Sequence, residues 1–279
     1  MGWGWFRNLW YCSKPPVSKP PINAAGGALC LHAGGVSIKG NFRENNEDRL
    51  YIDPTGRFLL VADGMGGQLA GERASELALE YIRKELERHD WQAWPHEEII
   101  KLIDDAVHRT NEEIMAVGAL DVSLQNMGTT IAFLLWTPQA CYAGGVGDSR
   151  VYHWRSGKLA QLTTDHSLVQ ALLEAGTITQ EEAAHHRFRN MLYRYLGAKE
   201  GGQGTQPRRL EVQLGDRFVL CTDGVTGGVT DEQLCKLLAE GKDPEELARR
   251  IVSAAERGGS RDNITCIVAI VEPAPSCSD

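Results

Sequence analysis

The chain has 279 residues, which at roughly 150 residues per domain allows two domains or one large one. Hydrophobic residues make up 42% and charged residues 24%, a soluble globular balance that excludes whole-chain disorder. A total of 37 Asp and Glu against 29 Lys and Arg gives a formal charge of −8, which excludes a general nucleic-acid binder, because that needs a net basic face.

The N-terminal stretch crowds Trp3, Trp5, Phe6, Trp10 and Tyr11 together. It lacks a basic segment followed by an apolar one, so it does not read as a signal peptide. Phe6 breaks the myristoylation pattern. The stretch reads as an irregular arm, or as a contact for a membrane surface or a partner. No apolar run reaches the ~18 residues of a membrane span. Residues 12–35 are rich in Pro, Gly, Ala and Ser, with Pro pairs that favour extended chain. The expected organisation is therefore an arm over 1–35, one catalytic-size domain over 36–271 and a tail over 272–279.

Within those limits Phe58–Ala62, Thr129–Trp136, Phe218–Cys221 and Ile264–Val271 are short, apolar and β-rich, and predict buried strands. RVYHW (150–154) predicts another. Apolar residues at helical spacing predict helices over Ala70–Arg88 and His96–Val117. Two more helices are expected after Asp231 and Asp243, each acid standing as N-cap, and a short one over Ser167–Glu174. Strict βα alternation is absent, so mainly antiparallel sheets with helices outside fit better than a doubly wound sheet. Seven cysteines without a C-x-x-C pair argue against a disulfide framework or a zinc site and fit a reducing cytoplasm. Cys141, Cys221 and Cys266 fall in the strand-like runs, where Cys acts as a small hydrophobe.

Four aspartates stand at the tips of predicted strands: Asp63, Asp148, Asp223 and Asp262. One Asp-Gly at a strand end is a turn. Four around one sheet core are carboxylates that repel unless cations neutralise them. An all-oxygen donor set selects hard divalent ions such as Mg²⁺ or Mn²⁺. Gly64, lacking a side chain, lets its backbone approach an ion. A charged loop upstream, with Arg43, Glu47 and Asp48, sets a guanidinium suited to phosphate beside paired acids.

Seven segments together resemble the protein phosphatase 2C family, most closely its bacterial members. They are RENNED (43–48), VADGMGG (61–67), MGTT (127–130), GGVGDSRVY (144–152), LTTDHS (162–167), GDRFVLCTDG (215–224) and SRDNIT (260–265). The resemblance implies an α+β fold, a four-layer αββα sandwich of two mixed, mainly antiparallel sheets flanked by helices. It also implies metal-dependent hydrolysis of phosphoserine and phosphothreonine, in which a water bridging two Mn²⁺ or Mg²⁺ ions attacks phosphorus without a covalent intermediate. By motif, Asp63 would bridge the ions and the Gly64 carbonyl would complete one site. Asp223 and Asp262 would complete the other. Glu47 and Asp48 would bind through waters, and Arg43 would hold the substrate phosphate. Asp148, with Asp223, would support a third ion. The implied partners are phosphoproteins, including Ser/Thr kinases and their substrates, and the implied state is a cytoplasmic monomer.

Some relatives place a His after the Asp-Gly as general acid; here Met65 stands there and cannot donate a proton. His166 is a candidate for that role by proximity, or for positioning a flap over 165–204. The flap carries His185, His186, Arg187 and Arg189, and its Gly201, Gly202 and Gly204 are expected to permit motion. Two other readings have their own sequence requirements. A catalytically dead binding module would lack one or more metal acids, and a nucleotide site on GGVGDS would need a following Lys-Ser/Thr pair.

Overall fold

The computed structural model describes residues 28–67, 69–137 and 140–274. In chain order these form β1 (Leu29–Ile38), β2 (Asp48–Ile52), β3 (Phe58–Met65), α1 (Leu69–Glu87), α2 (His96–Leu120), β4 (Gly128–Thr129), β5 (Ile131–Trp136), β6 (Cys141–Val146), β7 (Arg150–Arg155) and β8 (Lys158–Gln161). There follow α3 (Leu168–Glu174), α4 (Gln180–Ala184), β9 (Arg208–Leu210), β10 (Arg217–Cys221), α5 (Asp223–Thr226), α6 (Asp231–Glu240), α7 (Pro244–Arg257) and β11 (Ile264–Pro273). The strands make two sheets, β1-β11-β10-β7-β8 and β2-β3-β5-β6-β9, with β4 paired to β3. Every registered strand pair is antiparallel.

Alternation along each strand explains the four layers. On β3, Leu59 and Val61 face the opposite sheet, meeting Phe218, Leu220, Ile267 and Ala269. Phe58, Leu60 and Ala62 point the other way, into α1 and α2 through Leu77, Ile82, Ile103 and Val107. The second sheet mirrors this, with Val219, Cys221, Cys266 and Val268 under Leu238, Leu247, Ile251 and Val252 of α6 and α7. Both faces of the central strands are therefore dry, which is why they read as unbroken apolar runs. The amphipathic helices gain their stability from this burial, since isolated helices of such length are marginal in water.

Two expectations need correction. The boundary at Val36 falls inside β1, which begins at Leu29 and pairs along its whole length with β11, and the tail expected from 272 starts inside β11, which runs to Pro273. Leu29 faces the core between the sheets, with Leu31 and Ala33 packed on it, so the period-2 pattern is present there. It is masked by Gly34, where an added Cβ would stand 2.5 Å from the Glu245 nitrogen of α7. Small residues here serve close helix packing rather than a linker. Second, Thr230 rather than Asp231 caps α6, in a reciprocal arrangement with Gln233. Asp243 caps α7 as expected. The Trp-rich stretch, the Pro pairs and residues 275–279 lie outside the described residues.

Candidate metal centre

The acidic residues singled out in the sequence gather at one end of the sandwich. Asp48 opens β2 directly opposite Asp63 on β3. Asp223 follows β10 as the first residue of α5, and Asp262 lies just before β11. Asp148 sits in the turn joining β6 and β7. Strands of both sheets thus end together, and each end delivers a carboxyl group.

Their electrostatics show that they share one space. Burial first, then repulsion from Asp223 and Asp262, pushes Asp48 up to about 7, against the hydrogen bond it accepts from Thr222. Burial and Asp262 push Asp223 up to about 6. Asp148 rises to about 7 through burial, Asp223 and Asp165. Burial and the charges of Asp48, Asp223, Asp148 and Asp262 hold Asp63 well above the ordinary carboxyl range. Asp63 and Asp223 lie close enough that each bears on the other's titration.

Hydroxyl and amide side chains fix the backbone beneath these acids. Thr130 Oγ1 accepts from Asp63 N at 3.0 Å and touches Ser149 Oγ at 2.6 Å. Thr129 Oγ1 donates to the Asp63 carbonyl at 2.8 Å. Thr222 Oγ1 donates to Asp48 Oδ2 at 2.9 Å and accepts from Thr265 N at 3.2 Å. Asn263 Oδ1 accepts from Glu47 N at 2.8 Å, while its Nδ2 donates to Lys39 and Asn45 carbonyls. Gly64 is a close approach: a Cβ there would collide with the Gly71 carbonyl of α1. A Cβ on Gly71 would in turn strike the Glu47 carboxylate, which lies against the first turn of α1.

The donor set fits hard divalent cations. It is all oxygen, and two of its buried atoms, Asp48 Oδ1 and Asp223 Oδ1, have no hydrogen-bond partner. Orphaned buried carboxylate oxygens are costly unless a cation or donor meets them. Among the described residues no three His, Cys, Asp or Glu side chains are already drawn into one ligating shell. Asp262 accounts for part of this: it is turned onto Arg43, Nη2 to Oδ2 at 2.5 Å, and Arg43 Nε also donates to the Arg261 carbonyl at 3.4 Å. The Arg43 side chain remains 49% exposed at the mouth of the site.

Sequence reasoning overlooked the supporting hydroxyls Thr129, Thr130, Ser149, Thr222 and Thr265. Their signal was available, since each is a Thr or Ser at an apolar run's end, next to or one strand away from a singled-out acid. It also overlooked Arg150, which clasps Asp165 through Nε and Nη2 at 2.9 and 2.6 Å and donates to Tyr152. His166 does not suit proton donation. Its Nδ1 accepts from Gly147 N at 3.0 Å, and burial together with Arg194 pushes it down to about 4. The flap glycines lie against α2. A Cβ on Gly201 would collide with the Tyr195 carbonyl and Asn111 Oδ1, and Gly202 packs on His108 of α2. Thr205 N and Oγ1 both bond Asp104 of α2 at 2.7 Å. The missing side chains permit this tight contact.

The protein phosphatase 2C pattern matches residues 42–263, which covers every one of these acids. The chain belongs to the protein phosphatase 2C family. A curated relative, the serine/threonine protein phosphatase PstP of Mycobacterium tuberculosis, is 37% identical over 245 residues, 87% of this chain. The chain spans only 45% of that relative's length. The serine/threonine phosphatase stp of Listeria monocytogenes is 32% identical over 248 residues, covering 85% of this chain and 95% of the relative. A solved structure of the PstP catalytic domain in complex with two manganese ions superposes with a TM-score of 0.77 at 35% identity, covering 88% of this chain and 100% of that one. The four-layer sandwich read from the motifs is thus the fold of this family, and it is the fold observed.

Proposed function

We propose that this chain is a metal-dependent phosphatase acting on phosphoserine and phosphothreonine in proteins. The observation that carries the reading is the carboxyl cluster at the joined ends of the two sheets, with its raised pKa values and two orphaned oxygens. Asp63, the Gly64 carbonyl, Asp223 and Asp262 would hold two Mn²⁺ or Mg²⁺ ions, with Glu47 and Asp48 acting through waters. Asp148, which bears electrostatically on both Asp63 and Asp223, would serve a third. When bound, divalent ions supply the positive charge that activates water and offsets charge on the phosphoryl oxygens.

The chain's own residues do the rest. Arg43 presents a planar fork that exchanges the Asp262 carboxylate for the substrate phosphate. Asp63 is held by three bonds through its backbone nitrogen and carbonyl, so its carboxyl keeps its aim when neighbouring charges change. No covalent phosphoenzyme is required. Burial drives Cys221 up to about 12, so it stays a thiol, and burial also raises Cys266 far above the ordinary thiol range. The partners proposed are phosphoproteins, among them Ser/Thr kinases and their substrates, met by a cytoplasmic monomer. Among the described residues no helix is long and apolar enough to cross a membrane.

The test is hydrolysis of p-nitrophenyl phosphate and a phosphothreonine peptide with Mn²⁺ and with EDTA. Folded protein showing no Mn²⁺-dependent turnover would favour the alternative of a binding module, which the complete set of acids and Arg43 argues against.

A further inference from the structure

We propose that His166 is a positioning residue that ties the flap to the Gly147–Asp148 turn, so that the flap and the Asp148 carboxylate are placed together. This rests on the phosphatase reading for its consequence in turnover, but the tie itself stands on geometry.

Gly147 is buried and has φ +102°, and a Cβ there would lie 2.5 Å from Thr130 Cγ2. The turn is therefore pressed onto the strand that supports Asp63. Both backbone groups of Gly147 are taken up by a single residue. Gly147 N donates to His166 Nδ1 at 3.0 Å, and the Gly147 carbonyl accepts from His166 N at 2.9 Å. The backbone donor fixes the ring tautomer: Nδ1 accepts, so Nε2 bears the hydrogen.

From the same residue the flap's returning segment is built. The His166 carbonyl accepts from Tyr193 N at 3.0 Å, Leu168 N donates to the Met191 carbonyl at 2.8 Å, and Ser167 bridges Leu192. The Tyr193 ring meets the imidazole edge-on at 5.7 Å. Farther along, Leu196 exchanges two backbone bonds with Thr129, at 2.8 and 2.9 Å, and Thr129 Oγ1 holds the Asp63 carbonyl. Residues 191–196 are thus fastened at one end, through residues 166–168, to the turn carrying Asp148 and at the other to β4, which pairs with the strand carrying Asp63. His166 is the side chain through which the first fastening runs.

Two near-isosteric variants of the full chain separate the tie from mere filling of space. Asn places an amide oxygen where Nδ1 stands, and Leu has the same shape with no acceptor. In metal-free protein, His166→Leu is expected to speed hydrogen exchange at the Gly147 amide on the order of tenfold, as loss of a buried acceptor requires. It is also expected to weaken the weakest class of Mn²⁺ sites in calorimetric titration by roughly tenfold, the effect of losing a group that orients a ligand. The KM for a phosphothreonine peptide should rise more than that for p-nitrophenyl phosphate. His166→Asn should stay near wild type in all three. If His166→Leu unfolds, His166→Gln takes its place, because its amide reaches the Nε2 position instead. Unchanged Gly147 exchange in the acceptor-free variant overturns the proposal. So does lost protection with unaltered Mn²⁺ titration and peptide KM. A wild-type chain without turnover would overturn the phosphatase reading alone, leaving exchange and titration to decide the tie.

Discussion

Replacing Asp63 with Asn should stabilise the metal-free fold while abolishing turnover. Asp63 stands among Asp48, Asp148, Asp223 and Asp262, each of which raises its pKa. The cost of this crowding is legible in its neighbours. Asp48 stands at about 7 rather than 3.8, so ionising it in the fold above that pH costs about 4 kcal/mol. The same burial and crowding keep Asp63 protonated in the metal-free fold near neutral pH, so Asn removes the cost of taking up that proton on folding, worth about 1–2 kcal/mol or more. Asn keeps the shape and stays neutral at every pH, as burial and crowding make Asp63 in the metal-free fold. The backbone bonds from Thr129 and Thr130 are untouched. At about 2–4 °C per kcal/mol for a domain of this size, the Tm in EDTA at pH 7.5 should rise by roughly 2–8 °C. The assay is thermal unfolding of both proteins with EDTA and with Mn²⁺. Mn²⁺ should raise the wild-type Tm by linkage and leave the variant nearly unchanged. A Tm that falls or stays level in EDTA would refute the claim that these carboxylates repel one another in a shared cation site.

The same cluster sets a pH dependence. The fold retains protons on Asp48, Asp148 and Asp223 that the unfolded chain releases near pH 4, so metal-free stability should fall as pH rises from about 4 to about 7. Thermal scans in EDTA from pH 5 to 8 would show a declining Tm, and saturating Mn²⁺ should flatten it. Arg43→Lys keeps the charge but loses the planar fork; the KM for p-nitrophenyl phosphate is expected to rise roughly tenfold with the fold intact, and unaltered kinetics would place phosphate elsewhere. Cys221 and Cys266 should resist iodoacetamide in the folded protein at pH 8, because both are buried thiols with raised pKa. Rapid alkylation without unfolding would contradict their burial. Thr222→Val removes the donor to Asp48 and the acceptor for Thr265 N, and should lower the Tm by roughly 5–10 °C from two unmet buried groups.

Much of the site was readable because rigid strands leave a plain trace. Phe58–Ala62 and Phe218–Cys221 are apolar on both faces, and an acid immediately after such a run marks where the strand leaves the dry interior. The helix starting at Asp243 was legible for a similar reason, since a cap acts on its own next turn. The beginning of β1 was not. Its Ala and Gly residues look like a linker until α7 is laid across Gly34, and that contact joins residues more than 200 positions apart.

What the sequence by itself determined was the residue types and their order: acids at strand ends, an Arg beside paired acids and a family whose motifs occur in order. These depend on residue type and short spacing. Tertiary structure alone decided which groups share a field. It set Asp48 opposite Asp63, pressed Asp63 and Asp223 into one another's field, engaged Arg43 with Asp262 and consumed the His166 ring in holding Gly147. It also laid the flap glycines against α2. Electrostatic coupling and hydrogen bonding act over a few ångströms, and only folding brings groups from distant segments within that range.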